Sequence, residues 1–199
     1  MFWLLAPIIG VLAWKVIEAF DSESVPEVLI AGQAGAGKTT YFNKLGGQQR
    51  SEAQSITPEN KVIKIKLGKE DEKLAKICFS DIPGGESQQP AYWSEQITKA
   101  DITLLFVNAQ TLFSEGLTEE LRFIANSISE MKLENNKKFI VTLTHTDLVK
   151  DIKHRDMVQR PETLQFVSLL GHQPSEIIAI NTLDMKDINS LNKAIGKFI

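Results

Sequence analysis

The sequence has little of what marks a disulfide-stabilised or nucleic-acid-binding protein. A single cysteine, Cys78, is present among 199 residues, so no internal disulfide can form, and we interpret it as a buried thiol in a reducing compartment. Lysine and arginine (22) are outnumbered by acidic residues (25), so the net charge does not indicate a basic surface, and we expect no nucleic acid as a partner. Internal repeats and low-complexity segments are also absent. The length suits one globular domain with a short extension.

Charge is missing from the first fourteen residues, MFWLLAPIIGVLAW. A helix over this region, extended to residue 20, would be about 30 Å long and could cross a hydrocarbon core if Lys15 reaches the headgroups. Trp3 and Trp14 bracket the stretch as interfacial anchors do, and the cations that follow it place the main domain in the cytoplasm. We therefore predict a single-pass membrane anchor over residues 1–20, a linker over 21–27 and a globular domain over 28–199.

Other interpretations of this N-terminal stretch fit less well. A cleaved signal peptide is disfavoured because a basic start and a small-residue cleavage site are both missing. An amphipathic surface helix is disfavoured because residues 2–14 have no polar face. A helix packed on the domain stays open, since the strictly apolar part would reach only about 21 Å.

After the linker, apolar runs alternate with helical patterns. KVIKIKL (61–67) alternates strictly and LAKICFS (74–80) is more apolar, which predicts an antiparallel hairpin. We expect buried strands at 28–31, 101–109, 137–144 and 176–180, and helices starting near residue 38 and over 88–99, 117–133, 161–170 and 187–198. The polar stretch 46–60 is predicted to be a loop that becomes ordered on binding. The alternation predicts a three-layer α/β fold, a mostly parallel sheet with one antiparallel edge strand and helices on both faces.

The stretch GQAGAGKTT, residues 32–40, places a glycine-rich loop directly after a predicted strand. It matches G-x-x-x-x-G-K-[ST] between a strand and a helix, the context in which this motif is a phosphate-binding P-loop. Its backbone N–H groups would wrap the β-phosphate, Lys38 would bridge the β- and γ-phosphates, and Thr39 would bind Mg²⁺. The predicted phosphate-binding residues are Gly32, Gln33, Ala34, Gly35, Ala36, Gly37, Lys38, Thr39 and Thr40.

Two further motifs predict the rest of the metal and γ-phosphate site. DIPGG follows the strand 74–80, so Asp81 would hold Mg²⁺ through a water and the backbone N–H of Gly84 would reach the γ-phosphate. SIT lies in the long polar loop, where the hydroxyl and carbonyl of Thr57 would complete the metal shell. The alternative for DIPGG is a plain strand-to-turn sequence.

Two motifs near the end of the chain predict the base. In THTD, residues 144–147, Asp147 would accept hydrogen bonds from guanine N1 and N2. In AINT, the backbone N–H of Asn181 or Thr182 would be offered to guanine O6. The alternative for THTD is a helix N-cap by Thr144 or Asp147. Five motifs in this order favour a guanine nucleotide site.

In strand order and motif order, residues 27–199 resemble small GTPases of the translation-factor-related P-loop class. Their layout behind an apolar segment most resembles the Arf-like group that includes the signal-recognition-particle receptor β subunit. The resemblance implies a P-loop NTPase fold, binding of GTP or GDP with Mg²⁺, and a γ-phosphate-dependent ordering of residues 48–60 and 82–95 that recruits a protein partner. It also implies hydrolysis of GTP to GDP and phosphate.

The chain departs from this family at three positions. Thr144 stands where the family has asparagine, and His145 where a lysine packs on the base; His145 either stacks there or faces solvent, and base affinity could be lower. Gly85 stands where many relatives carry a glutamine or histidine that orients the attacking water. The predicted catalytic residues are Lys38, Thr57, Gly84 and Gly85.

We therefore expect slow hydrolysis that a partner accelerates. The alternative is a nearly non-hydrolysing GTP-binding assembly module. A P-loop kinase or ATPase is disfavoured by Asp147 and by the lack of a recognisable acceptor-substrate lid. His154 and His172 are predicted to be surface residues rather than ligands.

Overall fold

The computed structural model describes residues 26–46, 59–66, 72–79, 89–131 and 137–199. The strands of this part are β1 Glu27–Gly32, β2 Glu59–Lys66, β3 Glu72–Phe79, β4 Ile102–Asn108, β5 Lys138–Thr144 and β6 Glu176–Ala179. The helices are α1 Lys38–Gly46, α2 Gln89–Lys99, α3 Ala109–Glu115, α4 Glu119–Ser129, α5 His154–Met157, α6 Pro161–Leu169 and α7 Met185–Gly196, with a 3₁₀ helix at Thr146–Leu148.

The strands form one sheet in the order β2-β3-β1-β4-β5-β6. β1 pairs in parallel with β3 and β4, and parallel pairing continues through β5 to β6. Only the β2–β3 pair is antiparallel among the described strands, and it lies at the edge. The predicted α/β fold with one antiparallel edge strand is confirmed.

Successive residues of the strands pack on opposite faces of the sheet, which gives the molecule two apolar layers. One face of the central strands packs against α2 to α6 and contains Leu29, Leu105, Val141, Leu121, Ile124 and Phe166. The other packs against α1 and α7 and contains Ile30, Leu104, Phe106, Ile140, Phe42 and Leu191. Helices therefore cover both faces, as the near-continuous apolar runs predict.

The predicted elements are found, with shifted ends. Pro161 occupies the first position of α6. The helix predicted over 117–133 is shorter: it begins after Thr118, whose hydroxyl accepts a hydrogen bond from the Leu121 N–H at 3.3 Å, and it ends at Ser129. The predicted loop 46–60 is wrong at both ends, because residue 46 belongs to α1 and residues 59 and 60 pair with β3.

Helix α3 was not predicted from the sequence. It begins immediately after β4, where the side-chain oxygen of Asn108 accepts a hydrogen bond from the Thr111 N–H at 3.3 Å. The observed strand β4 therefore ends at Asn108, one residue before the predicted end at residue 109, which is helical. An asparagine cap after a strand was the available local signal.

None of the helices in the described ranges is long and apolar enough to cross a membrane. The predicted anchor, residues 1–20, and residues 21–25 of the predicted linker lie outside those ranges. Of the segment 82–95, for which ordering by the γ-phosphate was predicted, residues 89–95 form the first part of α2.

Candidate nucleotide site

The carboxyl ends of β1, β4, β5 and β6 meet at one edge of the sheet, because these strands are parallel neighbours. Three loops follow there: residues 33–37 after β1, residues 145–147 after β5 and residues 180–184 after β6. Ligands of open α/β sheets bind at this edge. The predicted phosphate and base motifs are therefore brought to the same side of the molecule.

The loop after β1 has a backbone that requires glycine. Gly32, Gly35 and Gly37 have φ angles of +131°, +68° and +77°. A Cβ at Gly32 would lie 2.1 Å from the carbonyl oxygen of Phe106 and 2.6 Å from its nitrogen. The loop thus leaves the sheet by passing directly over β4, which only glycine permits.

Gln33 is predicted to bind nucleotide, but its polar groups attach the loop to β4. Its N–H donates to the Phe106 carbonyl at 3.0 Å, and its side-chain oxygen accepts from the Asn108 N–H at 3.0 Å. Its own carbonyl accepts from the Ala36 N–H at 3.2 Å, which turns the loop. Gln33 is buried, with 5 % of its surface exposed, and its hydrogen bonds hold the loop against β4. The local sequence pattern does not indicate this role.

Lys38, the first residue of α1, folds back over the loop. Its ammonium donates to the carbonyls of Gly32 at 3.0 Å and Gln33 at 2.9 Å, and only 5 % of the residue is exposed. A buried ammonium at the inner side of a loop of backbone N–H groups is suited to an anion. Thr39 and Thr40 follow in the first turn of α1 and are half-buried.

The position of α1 is fixed from its buried side. The Tyr41 ring lies 5.4 Å from that of Phe106, and its hydroxyl donates to the side-chain oxygen of Asn192 on α7 at 2.7 Å. Complete burial raises the pKa of Tyr41, so the phenol stays neutral. This contact joins the helix that carries Lys38 to the helix that follows the base motif.

At the end of β5, Thr144 is buried and its hydroxyl donates to the Val107 carbonyl at 3.2 Å, which ties this loop to β4. The next residue, His145, has a left-handed backbone with φ +54°, and its Nδ1 lies 3.1 Å from the Thr144 hydroxyl oxygen. Its ring carbon Cε1 is 3.6 Å from the position of a Cβ at Gly37. His145 is half-buried beside the phosphate loop, and stacking on the base stays a prediction.

Asp147 is exposed in the 3₁₀ helix, two residues after His145. That helix has no side-chain cap, so the alternative that Thr144 or Asp147 acts as its N-cap is wrong. An exposed carboxylate after a buried strand end is consistent with the predicted contact to guanine N1 and N2, which stays a prediction.

The loop after β6 distinguishes the two residues predicted to face guanine O6. The Asn181 N–H donates to the Asp187 carboxylate at 2.7 Å, and the Asn181 side-chain oxygen accepts from the Leu183 N–H at 2.8 Å. Asn181 therefore shapes the turn, and the Thr182 N–H is the better candidate donor. The Thr182 hydroxyl oxygen is 3.0 Å from the position of a Cβ at Gly37, which places the base loop against the phosphate loop.

The predicted metal and hydrolysis residues are only partly described. Thr39 offers a hydroxyl, a hard oxygen ligand that suits Mg²⁺, at the start of α1. The other predicted oxygen donors, Thr57 and Asp81, lie outside the described residues, as do Gly84 and Gly85. Within the described residues, no group of three or more histidine, cysteine, aspartate or glutamate side chains could hold a metal ion.

Both predicted surface histidines have contacts. His154 is exposed, with Nδ1 3.7 Å from the Asp187 carboxylate. His172 is half-buried, and its Nε2 lies 2.9 Å from the Met131 carbonyl oxygen.

One contact to the phosphate loop was not predicted. The Ala34 N–H donates to the carboxylate of Glu120, in the first turn of α4, at 2.7 Å. The two residues are 86 positions apart, so no local sequence signal indicates this pair.

Parts of this sequence are similar to those of known proteins. A family model described as 50S ribosome-binding GTPase matches residues 27–145. GTPase Der of Fusobacterium nucleatum is 26 % identical over 171 residues, which are 81 % of this chain and 37 % of Der. The GTP-binding protein EngB of Albidiferax ferrireducens is 29 % identical over 133 residues, 62 % of this chain and 63 % of EngB. The chain thus spans less than two thirds of either relative.

Solved structures share the fold at lower identity. A GTP-binding protein from Sulfolobus solfataricus in complex with GDP superimposes with a TM-score of 0.65 at 21 % identity, over 93 % of this chain and 55 % of that one. The mammalian SRP receptor structure gives a TM-score of 0.65 at 19 % identity, over 87 % of this chain and 100 % of the other.

Proposed function

Because the chain belongs to the family described as 50S ribosome-binding GTPase, we propose that it binds GTP with Mg²⁺ and acts as a nucleotide-dependent switch. The bound nucleotide orders the loops that follow α1 and β3, and the resulting surface recruits a protein partner. Slow hydrolysis to GDP and phosphate reverses the switch.

The observation that carries this proposal is the meeting of three motifs around one glycine. Gly37, at the end of the phosphate loop, lies against Thr182 from the loop after β6 and His145 from the loop after β5. The buried Lys38 follows Gly37 directly. A ligand that spans these loops needs phosphates at one end and a planar, hydrogen-bonding base at the other, and a guanine nucleotide has both.

The proposed hydrolysis is tested by multiple-turnover phosphate release from the full chain with GTP or ATP. We expect slow release of phosphate from GTP, because Gly85 has no side chain to orient the attacking water. We expect no release above background from ATP, because Asp147 is predicted to select guanine. Tight GTP binding without any release over many hours would favour the alternative, an assembly module that holds its nucleotide structurally. Equal release from ATP would contradict the proposal.

We also propose that residues 1–20 anchor the protein in a membrane and that the GTPase domain lies in the cytoplasm. The support is the uncharged run from Phe2 to Trp14. The full chain should resist carbonate extraction from membranes, whereas a chain that begins at Ser22 should be released. Complete extraction of the intact protein would contradict the anchor.

Among small GTPases of the translation-factor-related P-loop class, we propose that the chain is most similar to the Arf-like group with the signal-recognition-particle receptor β subunit. An apolar N-terminal segment directly before the GTPase domain supports this, as does the SIT sequence at Thr57. The partner would then be recognised on a membrane surface. Pull-down of membrane proteins by chains loaded with a GTP analogue or with GDP tests this, and identical partners in both states would contradict a switch.

A further inference from the structure

Glu120 places a negative charge on the rim of the phosphate loop. Its carboxylate accepts a hydrogen bond from the Ala34 N–H at 2.7 Å, and both residues are exposed. The N–H groups of this loop are the donors that a phosphate would use. The Glu120 carboxylate therefore occupies one of these N–H donors, and its negative charge lies next to the loop that is proposed to bind the negatively charged phosphates.

The carboxylate is held in place by its helix. α4 begins after the Thr118 cap, and Leu121, next to Glu120, is fully buried in the core. The Arg122 side chain donates from Nε to the Leu117 carbonyl at 3.1 Å, which further fixes the first turn. Because the backbone of this turn is anchored on both sides of Glu120, the charge stays near the loop.

The contact is made next to the part of the loop that holds the Lys38 ammonium. Lys38, the residue that reaches the β- and γ-phosphates in a P-loop, rests on the carbonyls of Gly32 and Gln33. Ala34 is the next residue along the chain. The Glu120 carboxylate thus contacts the loop at the residue after Gln33, whose carbonyl holds the Lys38 ammonium.

We propose that Glu120 sets the nucleotide preference of this site by disfavouring the terminal phosphate of GTP relative to GDP. The inference rests on the proposed guanine nucleotide site and adds a residue that determines preference between its two ligands. Its physical basis is repulsion between the carboxylate and the extra negative charge of the γ-phosphate.

Calorimetric titration of the full chain with GDP and with a non-hydrolysable GTP analogue tests this. Glu120→Gln keeps an oxygen that can accept from Ala34 but removes the charge, and Glu120→Ala removes both. We expect each substitution to raise the affinity for the analogue relative to GDP by about 5-fold, an effect that shrinks in high salt. Glu119→Gln is the matched control, because this neighbouring carboxylate is also exposed and also lies in the first turn of α4; we expect it to change the ratio by less than about 2-fold.

The outcomes separate this inference from the proposed function. An unchanged ratio in Glu120→Gln, with both nucleotides bound, would contradict the inference and leave the proposed function intact. A loss of both affinities in Glu120→Ala alone would show that the contact only positions the loop, which also contradicts it. Absence of guanine nucleotide binding in the wild type would contradict the proposed function and the inference together. Thermal unfolding of each variant confirms that it is folded.

Discussion

The phosphate end and the base end of the candidate site are built differently. At the phosphate end, Gln33 and Lys38 are buried and bonded to backbone atoms of the loop and of β4. At the base end, Asp147 is exposed, and the residues that follow β5 and β6 include large apolar side chains open to solvent: Leu148, Leu183 and Met185 are exposed by 48 %, 65 % and 50 %.

The difference follows from position in the sheet. The phosphate loop leaves β1, which has a strand on either side, so the neighbouring strand dictates its path. The loop with Thr182 leaves the edge strand β6, and the loop with Asp147 leaves β5, which lies next to that edge. Substitutions at the phosphate end should therefore affect stability and affinity together, whereas substitutions at the base end should change selectivity and leave stability nearly constant.

The largest effect is expected for Gly32→Ala. A Cβ there would overlap the Phe106 carbonyl, and φ is +131°, so we expect a loss of about 3 kcal/mol or more in the free energy of unfolding. Gly35→Ala is the matched control: its φ is also positive, but no atom lies within 4 Å, and we expect a loss of about 1 kcal/mol. Urea denaturation measures both, and equal losses would contradict the close approach to β4.

The next effect, on nucleotide affinity together with stability, is expected for Lys38→Ala, which also removes two hydrogen bonds to the loop. Removal of a buried ammonium from a phosphate site should cost about 3 kcal/mol in GTP affinity, roughly 100-fold. Lys193→Ala, an exposed lysine of α7, should leave affinity unchanged. Calorimetric titration at millimolar Mg²⁺ measures this. If both variants bind like the wild type, the P-loop assignment is wrong.

The smallest effect is expected outside both ends of the site. Arg160 and Glu162 form two hydrogen bonds, of 3.0 and 2.7 Å, at the start of α6, and this partner lowers the pKa of Glu162. Because the pKa of Glu162 is lower in the folded state, its charged form stabilises the fold at pH values above the unfolded-state pKa, near 4.3. This stability is lost as the pH falls through the lower, folded-state pKa. Glu162→Gln should therefore cost about 0.5 kcal/mol at pH 7.

That difference should shrink between pH 7 and pH 3, as the carboxyl takes up a proton and loses the charge that Arg160 contacts. Chemical denaturation at the two pH values measures it, and nucleotide affinity should not change. A difference as large at pH 3 as at pH 7 would show that the contribution of Glu162 is not its charge.

Much of the sheet could be predicted because its signals are local. Apolar runs and strict alternation indicated β2 to β6, and the glycine spacing indicated the phosphate loop together with the strand and helix around it. Pro161 indicated the start of α6. At the phosphate loop, what the sequence did not indicate was set by distant contacts. The tether from Gln33 to Asn108 spans 75 positions, and the Glu120 contact to the loop spans 86.

The base end shows the same limit. The motifs indicated Asn181 and Thr182 equally, and only the contact between Asn181 and Asp187 distinguishes them. For His145, the sequence does not distinguish stacking on the base from exposure to solvent. Its position beside Gly37 depends on how two separate loops pack. Short-range pattern thus indicates which loops carry the site, and tertiary packing decides which atoms each loop presents.

The base preference of the Asp147→Asn chain tests the central claim most directly. Asparagine exchanges an acceptor for a group that also donates, so preference should change from guanosine to xanthosine triphosphate. Competition titrations of the full chain with GTP, XTP and ATP measure this, alongside the free energy of unfolding. We predict inversion with stability unchanged within about 0.5 kcal/mol, as for exposed substitutions. A wild type that binds ATP as tightly as GTP, or a variant that still prefers GTP, would contradict the account.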